Sequence, residues 1–386
     1  MRGLIKVGLG VMATLGSMAA WADYSWNFPT PVTPIAHETL EVHNLFMIII
    51  TVIFFAVLAI MLYSMWAHRK RDGHQAADFV KPNSRKQWAW VMVPFAALLF
   101  IDYVVFGIPA YHAVLMYEDT KTDADMVVKV TGSQWLWEYE YPEEGVKFTS
   151  RLVTPRTQVM NVDPKGEHYL LEVDNPLVLP VGKKIRFITT SNDVIHSWWV
   201  PAFGVKRDAV PGFLREFWAT IDTPGVYRGQ CAELCGKEHA FMPVVVHAVP
   251  EAEYREWLAS KKSGQAQLAA STDQTWGKDD LMQTGADVYA KSCAACHQPD
   301  GKGLPPAFPP IAGAAVASTA FMDAEGNMVK GGHLDTVMNG RTGSAMRAFK
   351  EELSDVEIAA VVTYQRNAFG NAAGDLVQPL AVKSLR

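Results

Sequence analysis

The chain has 386 residues, 35 basic side chains against 40 acidic ones, a net charge of −5 and 49% hydrophobic residues. So even a charge balance excludes a polyanion-binding surface as the main theme, and no nucleic acid partner is expected. Four cysteines in this length are too few for a disulfide scaffold, while the length itself leaves room for several domains.

At the N-terminus, Arg2 and Lys6 precede an apolar stretch from Val7 to Ala20, and Ala20-Trp21-Ala22 offers a small-x-small cleavage site. Residues 1–22 therefore read as a secretory signal peptide. Leu45 to Tyr63 is nineteen residues without a charge, and the uncharged run continues to Ala67. At about 1.5 Å per residue that crosses a hydrocarbon core of about 30 Å. A second apolar span runs from about Trp88 to Tyr111, interrupted by Asp102. Between the two lie Arg69, Lys70, Arg71, Lys81, Arg85 and Lys86 against Asp72 and Asp78, whereas Asp23 to Asn44 has no Lys or Arg. The positive-inside rule then puts this loop in the cytoplasm and both ends outside. Segment 23–120 is thus expected to hold two transmembrane helices, about 45–67 and 88–111.

Residues 121–258 show short β-runs separated by turn residues. Val127 to Val130, Tyr169 to Val173, Lys184 to Ile188 and Met242 to His247 are the expected strands, with Asp174-Asn175-Pro176 and Thr223-Pro224-Gly225 as turns. Gly132 to Tyr141 alternates aromatics, which predicts one buried face for Trp137, Tyr139 and Tyr141. Residues 259–274 are rich in Ser, Lys, Gln and Ala without apolar periodicity and read as a flexible linker. Such a chain would span roughly 20 to 24 Å r.m.s.. Residues 275–370 carry helical patterns at Lys278 to Lys291 and Ser354 to Asn367, the second opened by a Ser354-x-x-Glu357 capping box. The tail, 371–386, is expected to be disordered.

Two motifs carry chemistry. Cys231-Ala232-Glu233-Leu234-Cys235-Gly236-Lys237-Glu238-His239-Ala240-Phe241-Met242 packs two thiols, an imidazole and a thioether into twelve residues, with His196 upstream. Soft thiolate and thioether ligands select copper, and imidazole suits it. A mononuclear site needs one Cys; two on one loop can bridge a pair of coppers. A Cys231–Cys235 disulfide, or a copper-delivery chaperone, would use the same cysteines. The second motif is Cys293-Ala294-Ala295-Cys296-His297, the attachment signal for a c-type haem with His297 as proximal ligand. A zinc or dithiol site would share the two cysteines but not the adjacent His. For the sixth iron ligand Met322, Met328, Met338 and Met346 lie downstream, with His333 as a rival.

Cys-x-Glu-x-Cys-x-x-x-His-x-x-Met with an upstream His-Ser-Trp resembles the binuclear copper A centre of cytochrome c oxidase subunit II, over roughly residues 23–258. Asn339 to Met346, Phe349 and the last helix resemble the distal loop of small class I cytochromes c, which favours Met346. Arg347 stands where that family usually has Pro. The resemblances imply a multidomain chain: two transmembrane α-helices, a Greek-key β-sandwich of cupredoxin type, and an all-α cytochrome c domain. They imply that one copper takes His196 and Met242, the other His239 and the carbonyl of Glu233, with Cys231 and Cys235 bridging. They further imply Trp135 as the aromatic through which electrons enter, and a Mg or Mn held by the Glu233 carboxylate and Asp208 at the contact with subunit I.

Function follows as expectation. The chain would be the electron-transfer subunit of a terminal haem-copper oxidase in a bacterial plasma membrane, with both metal domains in the periplasm. Electrons would come from cytochrome c or a quinol-cytochrome c reductase and leave for subunit I, where oxygen is reduced with proton translocation. Subunit III is a further expected partner. A nitric oxide reductase of the same superfamily is the alternative. One departure concerns protons: most subunits II carry a Glu before the second transmembrane helix, whereas Ser84-Arg85-Lys86-Gln87-Trp88 has no carboxylate. Asp102 lies about 21 Å further along the helix axis, too far toward the periplasm to replace it.

Overall fold

The computed structural model describes residues 27–69, 84–344, 346–350 and 352–386. The expected signal peptide, 1–22, and most of the basic loop between the apolar spans lie outside the described residues. The chain divides into two units, one running to Asp119 and joined by Val200–Lys206 and Ala219–Asp222, the other holding the rest.

The first unit is built on two long apolar helices. The first, α1 (Pro34–Ala67), starts earlier than the apolar run because Thr33 caps it: its hydroxyl oxygen accepts from the Ala36 amide at 3.1 Å, with Pro at the first helical position. The same hydroxyl donates to the Phe203 carbonyl at 2.7 Å, and His37 Nε2 meets Asp222 at 3.1 Å. The second helix is continuous but changes pitch: α2 (Ser84–Phe100), a π-helical stretch Ile101–Gly107, then α3 (Ile108–Glu118). Both are long and apolar enough to cross a membrane. They expose Phe54, Phe55, Leu62, Phe95 and Leu98, a surface that water disfavours and lipid accepts. Asp102 sits in the π stretch and shares an open cavity of about 470 Å³ with Thr39, Val42, His43, Phe46 and Phe106.

Among the described residues that follow the long helices, ten strands form two five-stranded sheets. These are β1 (Met126–Ser133), β2 (Leu136–Tyr141), β3 (Val146–Ser150), β4 (Leu177–Pro180), β5 (Lys184–Ser191), β6 (His196–Val200), β7 (Val205–Ala209), β8 (Arg215–Thr220), β9 (Gly225–Cys231) and β10 (Pro243–Val249). One sheet has the order β3-β2-β1-β5-β8 and the other β4-β10-β9-β6-β7. Each combines antiparallel pairs with a parallel pair, β1 with β5 and β10 with β4, so non-consecutive strands lie side by side as in a Greek key. β5 alternates strictly between buried and half-buried residues, the period-2 signature of a strand with one core face. Phe187, Phe217 and Trp198 stack between the sheets, with Phe187–Phe217 centroids 4.5 Å apart. Trp137, Tyr139 and Tyr141 are buried, as the alternation predicts.

Tyr169 to Val173 departs from the sequence expectation. It forms turns, with the Tyr169 amide bonded to the Gly166 carbonyl and the Leu171 amide to that of His168, and only Val173 keeps a single bridge to Leu152. Leu170 adopts a positive φ of 63°, which breaks the extended run that its apolar neighbours suggest.

The expected linker is also a correction: 259–274 belongs mostly to a helix, α4 (Glu251–Thr272). Its Ala, Lys, Gln and Leu residues are good helix formers, and Glu251 and Glu253 complement the helix dipole in the first turn. It is docked rather than loose. Trp257 packs on Tyr141 and Phe148, Lys262 pairs with Glu144 at 2.6 Å, and Gln265 donates to the Lys147 carbonyl at 2.9 Å.

The C-terminal domain joins α5 (Lys278–Ser292), α6 (His333–Asn339), α7 (Asp355–Asn367) and α8 (Pro379–Ser384). α5 crosses α7 at Gly285, where a Cβ would fall 2.2 Å from the Ala360 carbonyl oxygen, so only glycine allows the approach. The capping box forms in full: the Glu357 amide donates to the Ser354 hydroxyl at 3.2 Å and the Ser354 amide to the Glu357 carboxylate at 2.9 Å. The tail, expected to be disordered, is ordered because Val377 and Val382 are fully buried and the buried Arg366 guanidinium pairs with Asp375.

Candidate metal centre and haem-binding site

The loop joining β9 to β10 carries the copper motif, and the sheet closes it. The Cys231 amide donates to the Met242 carbonyl at 2.9 Å, and the Ala232 amide to Ser197, the residue after His196, at 2.9 Å. His196 opens β6 beside this loop. Donor atoms of His196, Cys231 and Cys235 lie within 4.8 Å of one another, and all three residues are buried. The two sulfurs are 3.8 Å apart, His239 Nδ1 is 3.5 Å from Cys235 Sγ, and the Glu233 carbonyl is 3.3 Å from Cys231 Sγ. Met242 is buried at the start of β10. Five of the six expected donor residues thus meet at one loop, and the sixth is fixed to Cys231 through its backbone.

Charge and hydrogen bonding tune this cluster. The two sulfurs share one hydrogen-bond contact, which holds the Cys231 thiol far below its ordinary range and drives that of Cys235 up. His196 Nε2 lies 2.8 Å from Asp193 Oδ1, while His196 Nδ1 is buried without a hydrogen-bond partner. A carboxylate accepts only, so Nε2 bears the proton and Nδ1 keeps its lone pair free as a metal donor beside the two sulfurs. Burial opposes protonation of His196, but Asp193 and Cys231 outweigh it and raise its affinity for a proton. Burial likewise opposes the charge of Asp193; His196 and the amides of Gln134 and Val194 overcome it and hold the carboxyl below its usual range.

Sequence reasoning missed Asp193 and Gln134. Gln134 binds both sides of the site: its amide N–H donates to Asp193 at 2.7 Å, and its side-chain amide to the Cys235 carbonyl at 2.8 Å. The signal that could have found them is spacing, since Asp193 stands three residues before His196 and Gln134 directly before the aromatic run. Gly132 backs the imidazole, because a Cβ there would sit 2.8 Å from His196 Cδ2. Trp135 is half-buried with its ring edge against Gly236 of the loop. Asp208 and the Glu233 carboxylate are exposed, and neither joins a cluster of three potential metal ligands among the described residues.

At the second motif, Cys293 caps α5, and the short turn Ala294–His297 carries Cys296 and His297. His297 Nδ1 donates to the Pro309 carbonyl at 2.9 Å, which leaves Nε2 as its free donor. Burial pushes the Cys293 thiol up to about 12 and also raises that of Cys296, unlike a pair poised to hold zinc as thiolates. Met346 packs against the core cluster that contains Cys293, and its carbonyl accepts from the Arg341 amide at 2.8 Å, closing the loop. His333 Nε2 is engaged at 2.7 Å with Gln365 in the core.

Comparison with known proteins decides the family. Residues 126–249 match the periplasmic domain of cytochrome c oxidase subunit II, and residues 21–108 match its transmembrane domain. Cytochrome c oxidase subunit 2 of Cereibacter sphaeroides is 36% identical over 256 residues, covering 63% of this chain and 82% of that protein. The chain belongs to the cytochrome c oxidase subunit II family. Subunit 2 of Arabidopsis thaliana is 33% identical over 251 residues, 64% of this chain and 94% of that protein. The crystal structure of the periplasmic domain of subunit II of cytochrome oxidase from Bradyrhizobium japonicum is 42% identical, covers 36% of this chain and 96% of that one, and gives a TM-score of 0.33. Residues 280–364 match a further family, cytochrome c oxidase, cbb3-type, subunit III. This member of the subunit II family therefore carries a cytochrome c domain at its C-terminal side. It is a membrane-anchored subunit of a haem-copper oxidase, and its two domains imply copper A and haem as cofactors.

Proposed function

We propose that this subunit takes electrons at a haem bound through Cys293 and Cys296, with His297 and Met346 as axial ligands, and passes them to a binuclear copper A centre and on to subunit I. Copper A supplies one-electron transfer between two metals that share the unpaired electron. The donor set fits it: Cys231 and Cys235 would be shared by the two coppers, His196 and Met242 would serve one, and His239 with the Glu233 carbonyl would serve the other. The observation that carries this reading is the 3.8 Å separation of two buried sulfurs beside an imidazole whose one nitrogen is tied down and whose other is unpartnered. A disulfide would need the sulfurs at bonding distance, near 2 Å. For the haem, the thiols held protonated by burial suit thioether formation, and the Nδ1 bond to Pro309 orients His297 toward iron.

The chain's own residues shape the route. Trp135, against the copper loop, is the aromatic for electron entry. Glu233 presents its carboxylate outward, and together with Asp208 it holds a Mg or Mn at the contact with subunit I. The mature chain spans the plasma membrane twice with both metal domains periplasmic, beside subunits I and III. The donor is cytochrome c or a quinol-cytochrome c reductase, and the acceptor in subunit I is oxygen. Turnover of the purified complex tests this with O₂ and NO in parallel. Oxygen consumption driven by reduced cytochrome c supports the oxidase reading; turnover of NO alone overturns it. Asp102, facing Thr39 and His43 rather than the cytoplasmic entry, is not a proton donor for uptake.

A further inference from the structure

Arg151 follows β3 in the sandwich, and Glu352 lies between the distal loop and α7 of the cytochrome c domain. Their side chains are 14% and 5% exposed and approach to 3.5 Å, Nη2 to Oε2. Neither atom has a hydrogen-bond partner, so their mutual attraction is what offsets their burial. Arg347 pairs with the other oxygen of Glu352 and stacks on Phe349 at 4.6 Å. Arg151 itself is fixed, donating from its amide to Asp174 at 2.8 Å and from Nη1 to Thr149 at 2.7 Å. A second contact places Lys237 of the copper loop over the Phe308 ring of the cytochrome c domain at 5.7 Å.

A buried ion cluster adds little net stability, but removing one member leaves uncompensated charge in the interior. Such clusters serve best to select one arrangement among many. This one ties residue 347, next to Met346, to the domain that holds Cys231 and Cys235. We propose that Arg151, Glu352 and Arg347 form a latch that holds the cytochrome c domain in a single pose on the copper domain, so that electrons cross a fixed gap. The proposal rests on the electron route argued above, and its test separates the two.

In the purified complex, Glu352→Gln removes the carboxylate that both guanidinium groups share, a loss that opening of the contact relieves by returning them to water. Pulsed EPR between oxidised haem and copper A should give a narrow distance distribution in the native complex and a broad one in Glu352→Gln and Arg151→Gln. Flash reduction of the haem should then show transfer to copper slowed about tenfold or more in each variant, since the rate scales with the docked fraction. The double variant should be no slower than the singles, because both act through one contact. Haem and copper spectra should be unchanged. A broad distribution in the native complex, a narrow one in either variant, or losses that multiply in the double would overturn the latch. A narrow native distribution that broadens in the variants, without haem-to-copper transfer in the native complex, would sink the route and leave the latch standing.

Discussion

Asp193→Asn isolates what one hydrogen bond does for the copper site. Asp193 Oδ1 accepts from His196 Nε2 at 2.8 Å and from the Val194 amide at 2.6 Å, and Oδ2 accepts from the Gln134 amide at 2.7 Å. An asparagine has one carbonyl oxygen and one NH₂ in those places. If the oxygen faces His196, the NH₂ opposes the Gln134 N–H, leaving two donors facing each other. If the NH₂ faces His196, Nε2 must accept, and the proton moves to Nδ1, the atom aimed at the thiols. Either way one charge-assisted bond is lost and a buried donor is stranded, a cost of about 2 to 3 kcal/mol. Copper affinity should fall between about tenfold and a hundredfold. Competition of the copper-loaded complex against a chelator of known affinity measures it, with the EPR signal as a check on geometry. An affinity within about threefold of native, with unchanged EPR, would refute the claim that Asp193 sets the His196 tautomer.

Four further outcomes are expected. Cys231→Ser or Cys235→Ser should abolish the mixed-valence EPR pattern, and a mononuclear pattern from the unmodified complex would remove the binuclear assignment. Met346→Ala should eliminate the long-wavelength sulfur-to-iron charge-transfer band and lower the haem potential, while Met322, Met328 and Met338 substitutions keep both; loss of the band in a Met338 variant would shift the ligand there. Gly285→Ala forces a Cβ against the Ala360 carbonyl and should destabilise the cytochrome c domain by about 1 to 3 kcal/mol, read from haem absorbance in a denaturant titration. Burial holds His333 down at about 4 from 6.5; the unfolded chain therefore binds its proton first, and stability present above pH 6.5 should be lost toward pH 4, by about 3 kcal/mol at most. His333→Gln should flatten that slope, and an unchanged slope would show that other groups cause it.

The chemistry was legible because it depends on close spacing along the chain. Cys231, Cys235 and His239 share one loop, and Cys293, Cys296 and His297 share one turn, so the sequence itself places most donors together. Apolar length revealed the two spanning helices, and alternation revealed β1, β2 and β5. What escaped was order held by polar contacts between distant segments. Asp193 and Gln134 bear on the copper loop only after β1, β5 and β6 bring them there. Tyr169 to Val173 has strand composition, but the Gly166 turn and the left-handed Leu170 override it. Residues 259–274 lack an apolar stripe because their helix docks through Lys262, Lys261 and Gln265, whose contacts leave no hydrophobic period.

That misreading bears on how the two metal domains work together. A flexible tether of sixteen residues would let the cytochrome c domain visit many orientations, and transfer would wait for a productive encounter. A helix anchored along its length removes most of that freedom, because its conformational entropy is surrendered on folding rather than at each encounter. α4 packs against α7 and α8 of the cytochrome c domain as well as against the sandwich. Lys383 of α8 pairs with Asp273 at 2.8 Å, and the Trp276 amide donates to Gln378 at 2.9 Å. The ordered tail thus fastens the end of the strap, and the Arg151–Glu352 contact fastens the face beside the haem loop. With both points held, the effective concentration of one metal domain at the other no longer depends on linker length. The polar composition that suggested a loose linker is what lets the strap remain soluble along its outer face while fixing the domains it joins.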